Sequence, residues 1–553
     1  MSITHWLRAP LGPQGSRWRT VAPQRSVLVV VHTITAVNRF ADILPVFDSD
    51  RRVQLVFTFP AASAVTADIE EYLRAGGAVV MPWSQVVVTE FDLALSVHNS
   101  GNLHDINAPL AIMSHGIGYT KYSPPKTENR KPKTENRSAY GLAPEWLMRD
   151  GVVVPSAIVL SHEEQYSRLA DSVPDAVDSA VIAGDPCFDR MVASEHQRPR
   201  YRGALGADKD TTVVVVSSTW GEESLLGRFP DLVAQLLAEL PSDRYVVAAV
   251  LHPNTWFAHG PYQVRLWLGD CLRAGLRLIP PAEGWQQAVI AADVVIGDHG
   301  AVTGYAAALG RCTLLATFPD HQVASGSAID VLGQTADHLD GVRPVLDQIE
   351  SAVLSTTPHR FAKVRELTTS VPNESLSLLR KAFYHLMDLP EPAQAPLSPQ
   401  YPTTPVPALA IAAWWAGAES TGEHEVRVTR WPADVVAREE HPPTTLDRHL
   451  VVAADHPRRD LFGNAAIVVL DEGSDRTLDA TFAERPTCVL ALRGNRIAHR
   501  DGGIATITEA QDVTACASAI YLWLADGLPW SELPTTFTVS LGQRTIKATL
   551  SVR

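Results

Sequence analysis

Three histidines in this sequence share a setting. Each follows an apolar run and is followed at once by Gly or Pro: Ser114-His115-Gly116 after PLAIM, His252-Pro253-Asn254 after VVAAVL, and Asp298-His299-Gly300-Ala301 after DVVIG. A neutral imidazole takes up a proton, and a protonated one holds an anion. Two further apolar runs end on polar or turn-forming residues, Ser217-Ser218-Thr219-Trp220-Gly221 and Pro280-Pro281-Ala282-Glu283. After His299 the side chains turn small, AVTGYAAALG. A helix beginning at Ala301 would aim its free N–H groups and the positive end of its dipole at an anion. Gly300 would let that anion approach the backbone, Ala301 adds no bulk, and Thr303 offers a hydroxyl. His299 would add a directional donor and a positive charge, with His252 reaching the same volume. The competing structural explanation is close helix-to-sheet packing by small residues.

His115 is followed by a locally basic stretch. Lys121, Lys126, Arg130, Lys131, Lys133 and Arg137 face only Glu128 and Glu135, within a tandem PKTENR repeat at 125–130 and 132–137. Such a loop beside a strand-end histidine suits an anionic ligand. No His-x-x-x-His or Cys-pair spacing suggests a metal site. SHEEQ at 161–165 reads as a capping box from Ser161 to Glu164. No Gly-x-Ser-x-Gly elbow marks a serine hydrolase. No metal and no cofactor are expected.

These residues gain meaning from the elements that carry them. From Ser26 onward short apolar runs alternate with helical patterns, as in parallel sheets covered by helices. VLVVVHT, RVQLVFTF, AVVMPW, DLALSVH and PLAIMSH read as strands of a first unit; TTVVVVSST, YVVAAVLHPN, LRLIPP, DVVIGDHG and CTLLATF belong to a second. In such sheets ligands collect at the carboxyl ends of strands. The expected organisation is α/β: an N-terminal Rossmann-like domain over 1–192, a connector over 193–210, a second Rossmann-like domain over 211–389, a Pro-rich linker over 390–407, and a small α+β domain over 408–553. In the last, Trp414, Trp415 and Trp431 suit a core or an interface equally well.

The formal charge of −14 and pI near 5.7 argue against a nucleic-acid binder. Five dispersed cysteines fit a reducing compartment, and no apolar run reaches the roughly 20 residues of a membrane span. A cytoplasmic location is expected, with peripheral membrane contact left open.

The sequence SSTWGEESLLGRFPDL, the His-Pro of VLHPN and ADVVIGDHGAVTGYAAALG, with the His-Gly of the first unit, resemble GT-B glycosyltransferases. Within them the chain is most similar to CDP-glycerol glycerophosphotransferases of teichoic-acid assembly and to uncharacterised actinomycete proteins of this layout. UDP-N-acetylglucosamine 2-epimerases share the architecture. The likeness spans roughly residues 25–388 and is strongest over 211–318. It implies His115 as general base, with Gly116 and Lys121 on the acceptor side. It places His252, Asp298, His299, Gly300, Ala301, Val302 and Thr303 around the donor's phosphates, His299 also being catalytic, with Ser218, Thr219 and Trp220 in the adjoining turn. Pro281 and Glu283 would meet the nucleotide. Asp-His-Gly-Ala stands where glycerophosphotransferases show Asp-Tyr-Ser-Ser, and Tyr305 stands where a carboxylate is expected. The implied activity is metal-independent transfer of a glycosyl or phosphoalditol group from a nucleotide-diphosphate donor to a hydroxyl acceptor. The alternatives are a 2-epimerase-like reaction with Asp298 or Glu283 as acid or base, and a non-catalytic nucleotide-sugar-binding or assembly protein whose last domain docks a protein partner.

Overall fold

The computed structural model describes Leu11 and residues 15–60, 66–123, 138–436, 448–509 and 511–553. The PKTENR repeat and the cations from Lys126 to Arg137 lie outside the described residues. Among the described residues no helix is long and apolar enough to cross a membrane. All five cysteines are buried free thiols.

The first lobe is a six-stranded sheet of β1 (Arg25–Val30), β2 (Val53–Thr58), β3 (Leu93–Ser96), β4 (Leu110–Met113), β5 (Ala157–Leu160) and β6 (Ala180–Ile182), in the order β2-β1-β3-β4-β5-β6. Every neighbouring pair is parallel; Val27, for example, lies opposite Leu55 on one side and Leu93 on the other. Val27 to Val30 are fully buried on both faces, as continuous β-branched runs in a parallel sheet require. The segment AVVMPW, expected as a full strand, reaches the sheet through Val80 alone, which bridges Phe57. Pro82 has no N–H with which to extend the pairing.

The second lobe repeats the plan with β7 (Thr212–Ser218), β8 (Tyr245–Leu251), β9 (Arg277–Leu278), β10 (Val294–Gly297), β11 (Cys312–Leu315) and β12 (Asp337–His338). Its all-parallel order β9-β8-β7-β10-β11-β12 is the 3-2-1-4-5-6 order of a Rossmann sheet. With the Val80 bridge outside β2, the first sheet follows the same order. Both lobes are therefore Rossmann-like.

Five helices position the site or join the lobes: α1 (Ile34–Ile43), α2 (Pro186–Ser194), α3 (Arg198–Ala204), α4 (Ala301–Ala308) and α5 (Ser375–Leu386). The expected connector at 193–210 is largely helical, running from α2 through a short 3-10 turn into α3. Helix α5, expected to close the second lobe, packs on the first: Leu376, Leu379, Phe383 and Tyr384 share a core with Val27, Val29 and Phe40.

The Pro-rich segment 390–407 is a fixed strap. Its Tyr401 is buried, donating its hydroxyl to Asp42 at 2.9 Å, while its main-chain carbonyl accepts from the Tyr201 hydroxyl at 2.7 Å. Thr404 and Gln287 exchange two hydrogen bonds. One segment thus touches α1 of the first lobe, α3, and the helix Trp285–Ala291 of the second.

Beyond the strap the α+β domain is a closed barrel of nine strands between Ala413 and Val552, with the helix Val513–Ala525 packed against it through Ala515, Cys516 and Ile520. The parallel pairing of Glu425–Pro432 with Thr536–Leu541 helps close the ring. Arg430 fastens the barrel to the second lobe, reaching Asp243 at 2.6 Å and Asp512 at 2.9 Å. Trp431 lies at the same junction, where its indole N–H donates to the Glu239 carbonyl.

Candidate functional site

In each sheet the strand order reverses beside the first strand, at β1/β3 and at β7/β10, which leaves a crevice at the carboxyl ends. The two crevices face one another and form one cleft of about 180 Å³. His115, Gly116 and Lys121 line it from the first lobe. Ser218, Thr219, His252, Pro281, Gly300, Ala301 and Val302 line it from the second.

His115 follows β4 in a turn held by the Ser114 hydroxyl, which donates to the Gly118 carbonyl at 2.6 Å. In its neutral form the His115 imidazole carries a lone pair on one ring nitrogen, as a proton acceptor requires. Burial pushes the imidazole down to about 4, and the positive charges of Lys121 and Arg39 push the same way. The neighbouring Gly116 brings the lobes close: a Cβ there would stand 3.1 Å from the Cβ of Ala301, a tight contact. Lys121 is exposed as a residue, yet the protein packed around it lowers its pKa against the opposing pull of Asp298.

The second lobe presents a helix start. Gly300 caps α4, and the first bond inside the helix runs from Gly304 N–H to the Gly300 carbonyl. The N–H groups of Ala301 and Val302 precede that ladder at the cleft wall. His252 caps the short helix Pro253–His259, its Nδ1 accepting from the Asn254 N–H at 3.1 Å. Its neutral ring then carries its proton on Nε2 and acts as a donor. Burial lowers His252 to about 3, with His115 and Lys121 adding to the effect.

Several expectations are corrected here. Asp298 does not face the cleft. Fully buried, it accepts from the Thr219 N–H at 2.8 Å, the Thr219 hydroxyl at 2.7 Å, and the N–H groups of Leu225 and Gly300, both at 3.0 Å. It brackets two strand-end turns, and this leaves it no free oxygen for acid–base work. Ser218 is spent as well, donating to the Thr219 carbonyl and accepting from Leu226 N–H. His299 is buried beside the cleft without lining it, and burial holds it at about 3, so it supplies no positive charge at neutral pH. Thr303 is turned inward against Gly297, where a Cβ would meet its hydroxyl oxygen at 2.1 Å. Trp220 is 57% exposed, with its ring 6.4 Å from that of His252, and Glu283 is also exposed; neither lines the cleft. SHEEQ is capped by His162, whose ring accepts from Glu164 N–H, while Ser161 pairs with Gln165.

The structure adds residues that the sequence did not single out. His98 lines the cleft and stacks on His115 at 4.4 Å with the rings 10° apart, and His32 lies 5.3 Å behind it. Both follow strands, β1 and β3, by two residues, so the strand-end rule that found His115 would have found them. At the cleft floor Arg39 pairs with buried Asp185 at 2.8 Å, and the Tyr305 hydroxyl donates to the other Asp185 oxygen at 2.8 Å. Tyr305 belongs to the second lobe and Asp185 to the first. A second tie is made by main chain: Tyr122 N–H donates to the Gln322 carbonyl at 3.0 Å, and Ala324 N–H to the Thr120 carbonyl at 2.8 Å. Among the described residues no group of three or more His, Cys, Asp or Glu side chains is placed to hold a metal ion.

Two Rossmann-like lobes facing each other across a cleft at their strand ends form a GT-B-type fold. No protein-family model and no curated protein matches the sequence. Among solved structures the chain is similar to the wall teichoic acid polymerase TagF, with 10% identity over 66% of this chain and 90% of that one and a TM-score of 0.44. It is also similar to S. aureus MnaA solved with UDP, with 10% identity over 68% of this chain and 100% of that one and a TM-score of 0.40. A glycosyltransferase from Rickettsia africae shows 9% identity over 66% and 99%, with a TM-score of 0.36. The sheet order and the cleft stand independently of these likenesses.

Proposed function

We propose that this protein is a GT-B-type transferase that moves a glycosyl or phosphoalditol group from a nucleotide-diphosphate donor to a hydroxyl acceptor. The observation that carries this reading is the placement of His115. Its ring is stacked on His98 at 4.4 Å, and it shares one cleft with Lys121 and the start of α4. His115 takes the proton of the acceptor hydroxyl as that oxygen bonds either to the transferred sugar carbon, whose bond to the leaving nucleoside diphosphate breaks, or to the transferred phosphorus, whose bond to the leaving nucleoside monophosphate breaks. The charge that develops on the leaving oxygen falls to Lys121, the N–H groups of Ala301 and Val302, and the Nε2–H of His252. Burial, with the charges of Lys121 and Arg39 adding to it, holds the free imidazole near 4. A bound diphosphate offsets their charges and moves His115 toward the range where a general base works best.

The test is a calorimetric panel of CDP-glycerol, CDP-ribitol and UDP-, GDP- and dTDP-sugars against wild type, Lys121→Ala and His252→Ala, followed by product analysis with His115→Ala. One donor class should bind, both cleft variants should weaken it, and His115→Ala should bind it while losing about 10²–10⁴-fold in turnover. Failure of every nucleotide to bind overturns the reading. Conversion of a UDP-sugar without an acceptor would make it an epimerase. A second reading, nucleotide binding without turnover, draws on the main-chain pairing of residues 120–122 with 322–324, which ties the lobes together beside the cleft. In that case His115→Ala changes nothing that a cell or an assay registers.

A further inference from the structure

Helix α1 has two faces of different character. Ile34, Ala36, Phe40 and Ile43 enter the first-lobe core. Thr35, Asn38, Arg39 and Asp42, spaced as one helical stripe, line the cleft. A stripe that merely sealed the lobe would be apolar; this one is polar throughout, and part of its bonding capacity is unused. The Thr35 hydroxyl and the Arg39 Nε are buried and have no partner in the protein. Arg39 makes its hydrogen bonds through Nη1 alone, to Asp185 at 2.8 Å and toward the Tyr305 hydroxyl at 3.5 Å. Half-buried Asn38 makes no side-chain hydrogen bond within the described protein. A buried polar atom without a partner is costly, which marks such a cluster as one completed by something else.

The charges say what that something is. Arg39 is matched by Asp185 at 2.8 Å, and Asp42 by Arg190 at 2.9 Å. Two guanidinium groups face two carboxylates, so this wall has no net charge to offer a phosphate. The ammonium of the cleft, Lys121, forms no ion pair among the described residues, and its main chain bridges Val323 of the second lobe. It therefore belongs to the side of the cleft that the second lobe forms. His115 lies between the two environments, subject to both Lys121 and Arg39.

We propose that the cleft-facing stripe of α1 is a subsite for a neutral polyhydroxyl group, a sugar or alditol, which it holds through the Thr35 hydroxyl, the Asn38 amide and the Arg39 guanidinium. The proposal rests on the transferase reading only in naming this group the acceptor; the subsite itself would bind without it. Each hydroxyl both donates and accepts, so it answers a wall of mixed donors and paired carboxylates in a way that a phosphate does not.

The test is isothermal titration and saturation-transfer NMR with glycerol, ribitol and methyl glucoside, set against glycerol 3-phosphate and ribitol 5-phosphate. Each is run alone and with saturating UDP or CDP, on wild type, Thr35→Val and Asn38→Leu. Thr35→Val keeps the shape and removes one hydroxyl, while Asn38→Leu fills the space with an apolar group. Wild type should bind at least one neutral polyol more tightly than its phosphate ester, and each variant should weaken it about tenfold with nucleotide affinity unchanged within about twofold. Preference for the phosphate ester overturns the proposal, as does absence of polyol binding under both conditions or full polyol affinity in both variants. Polyol binding without any nucleotide binding would uphold the subsite and remove the transferase reading; the converse would leave the donor site standing without this one.

Discussion

Replacing Tyr305 by Phe removes one oxygen from the join between the lobes. The ring would stay where it is, stacked near Trp285 at 5.8 Å and Phe188 at 6.5 Å, so packing is retained. What is lost is a 2.8 Å hydrogen bond to a carboxylate oxygen with no other hydrogen-bond partner, because Arg39 and Phe188 N–H both bond the other oxygen of Asp185. Asp185 is completely buried, so water does not replace the hydroxyl. A hydrogen bond to a charged acceptor contributes about 1.5–3 kcal/mol, and leaving that acceptor unsatisfied places the loss toward the upper part of the range, about 2–3 kcal/mol. Tyr384→Phe is the matched control. Its hydroxyl also donates to an aspartate, but that oxygen of Asp50 receives Arg52 at 2.7 Å as well, so a loss of about 1 kcal/mol is expected. Urea unfolding followed by tryptophan fluorescence, to which Trp285 contributes beside Tyr305, measures both. A Tyr305→Phe protein within about 0.5 kcal/mol of wild type would show that the lobes are not joined through Asp185.

Stability should also depend on pH in a defined window. His115 is held near 4, and His252, His299 and His449 near 3, all by burial. Their unfolded forms take up protons below about 6.5, so the stabilisation is complete above that value and is lost as pH falls toward 4 and 3, at no more than about 1.4 kcal/mol per pH unit for each group. Urea midpoints unchanged between pH 7 and pH 5 would contradict this. Gly297→Ala should cost about 1–3 kcal/mol by forcing Thr303 out of its seat, measured by the same unfolding. Arg430→Met should leave Asp512 without its cation and Asp243 with only Arg544 at 3.6 Å, and cost about 3 kcal/mol, separating the Trp431 transition from that of the lobes; a single unshifted transition would show that the barrel is held by other contacts.

The parallel sheets were legible because runs such as VLVV and VVVV are β-branched and apolar on both faces, a pattern that only a doubly covered strand explains. Their carboxyl ends then pointed to His115, His252 and the start of α4. Two kinds of information were not local. The protonation state of the imidazoles is set by burial, which the sequence does not display, so the positive charge expected of His299 is absent at neutral pH. The outward or inward aim of Thr303 and Asp298 depends on which neighbours lack a Cβ or need an acceptor, here Gly297 and Thr219. Arg39, Asp185 and Tyr305 meet only because two lobes dock, and nothing in the spacing of three such distant residues announces it. Barrel closure was equally hidden, since it relies on strands more than a hundred residues apart.

The return of α5 to the first sheet has a consequence for biogenesis. A ribosome finishes β6 and then makes the whole second lobe before the helix that seals the first core emerges, and the strap bearing Tyr401 follows later still. The nascent first lobe therefore waits with the core around Val27, Val29 and Phe40 only partly covered, an invitation to chaperones, and the strap that ties the lobes arrives only near the end of translation.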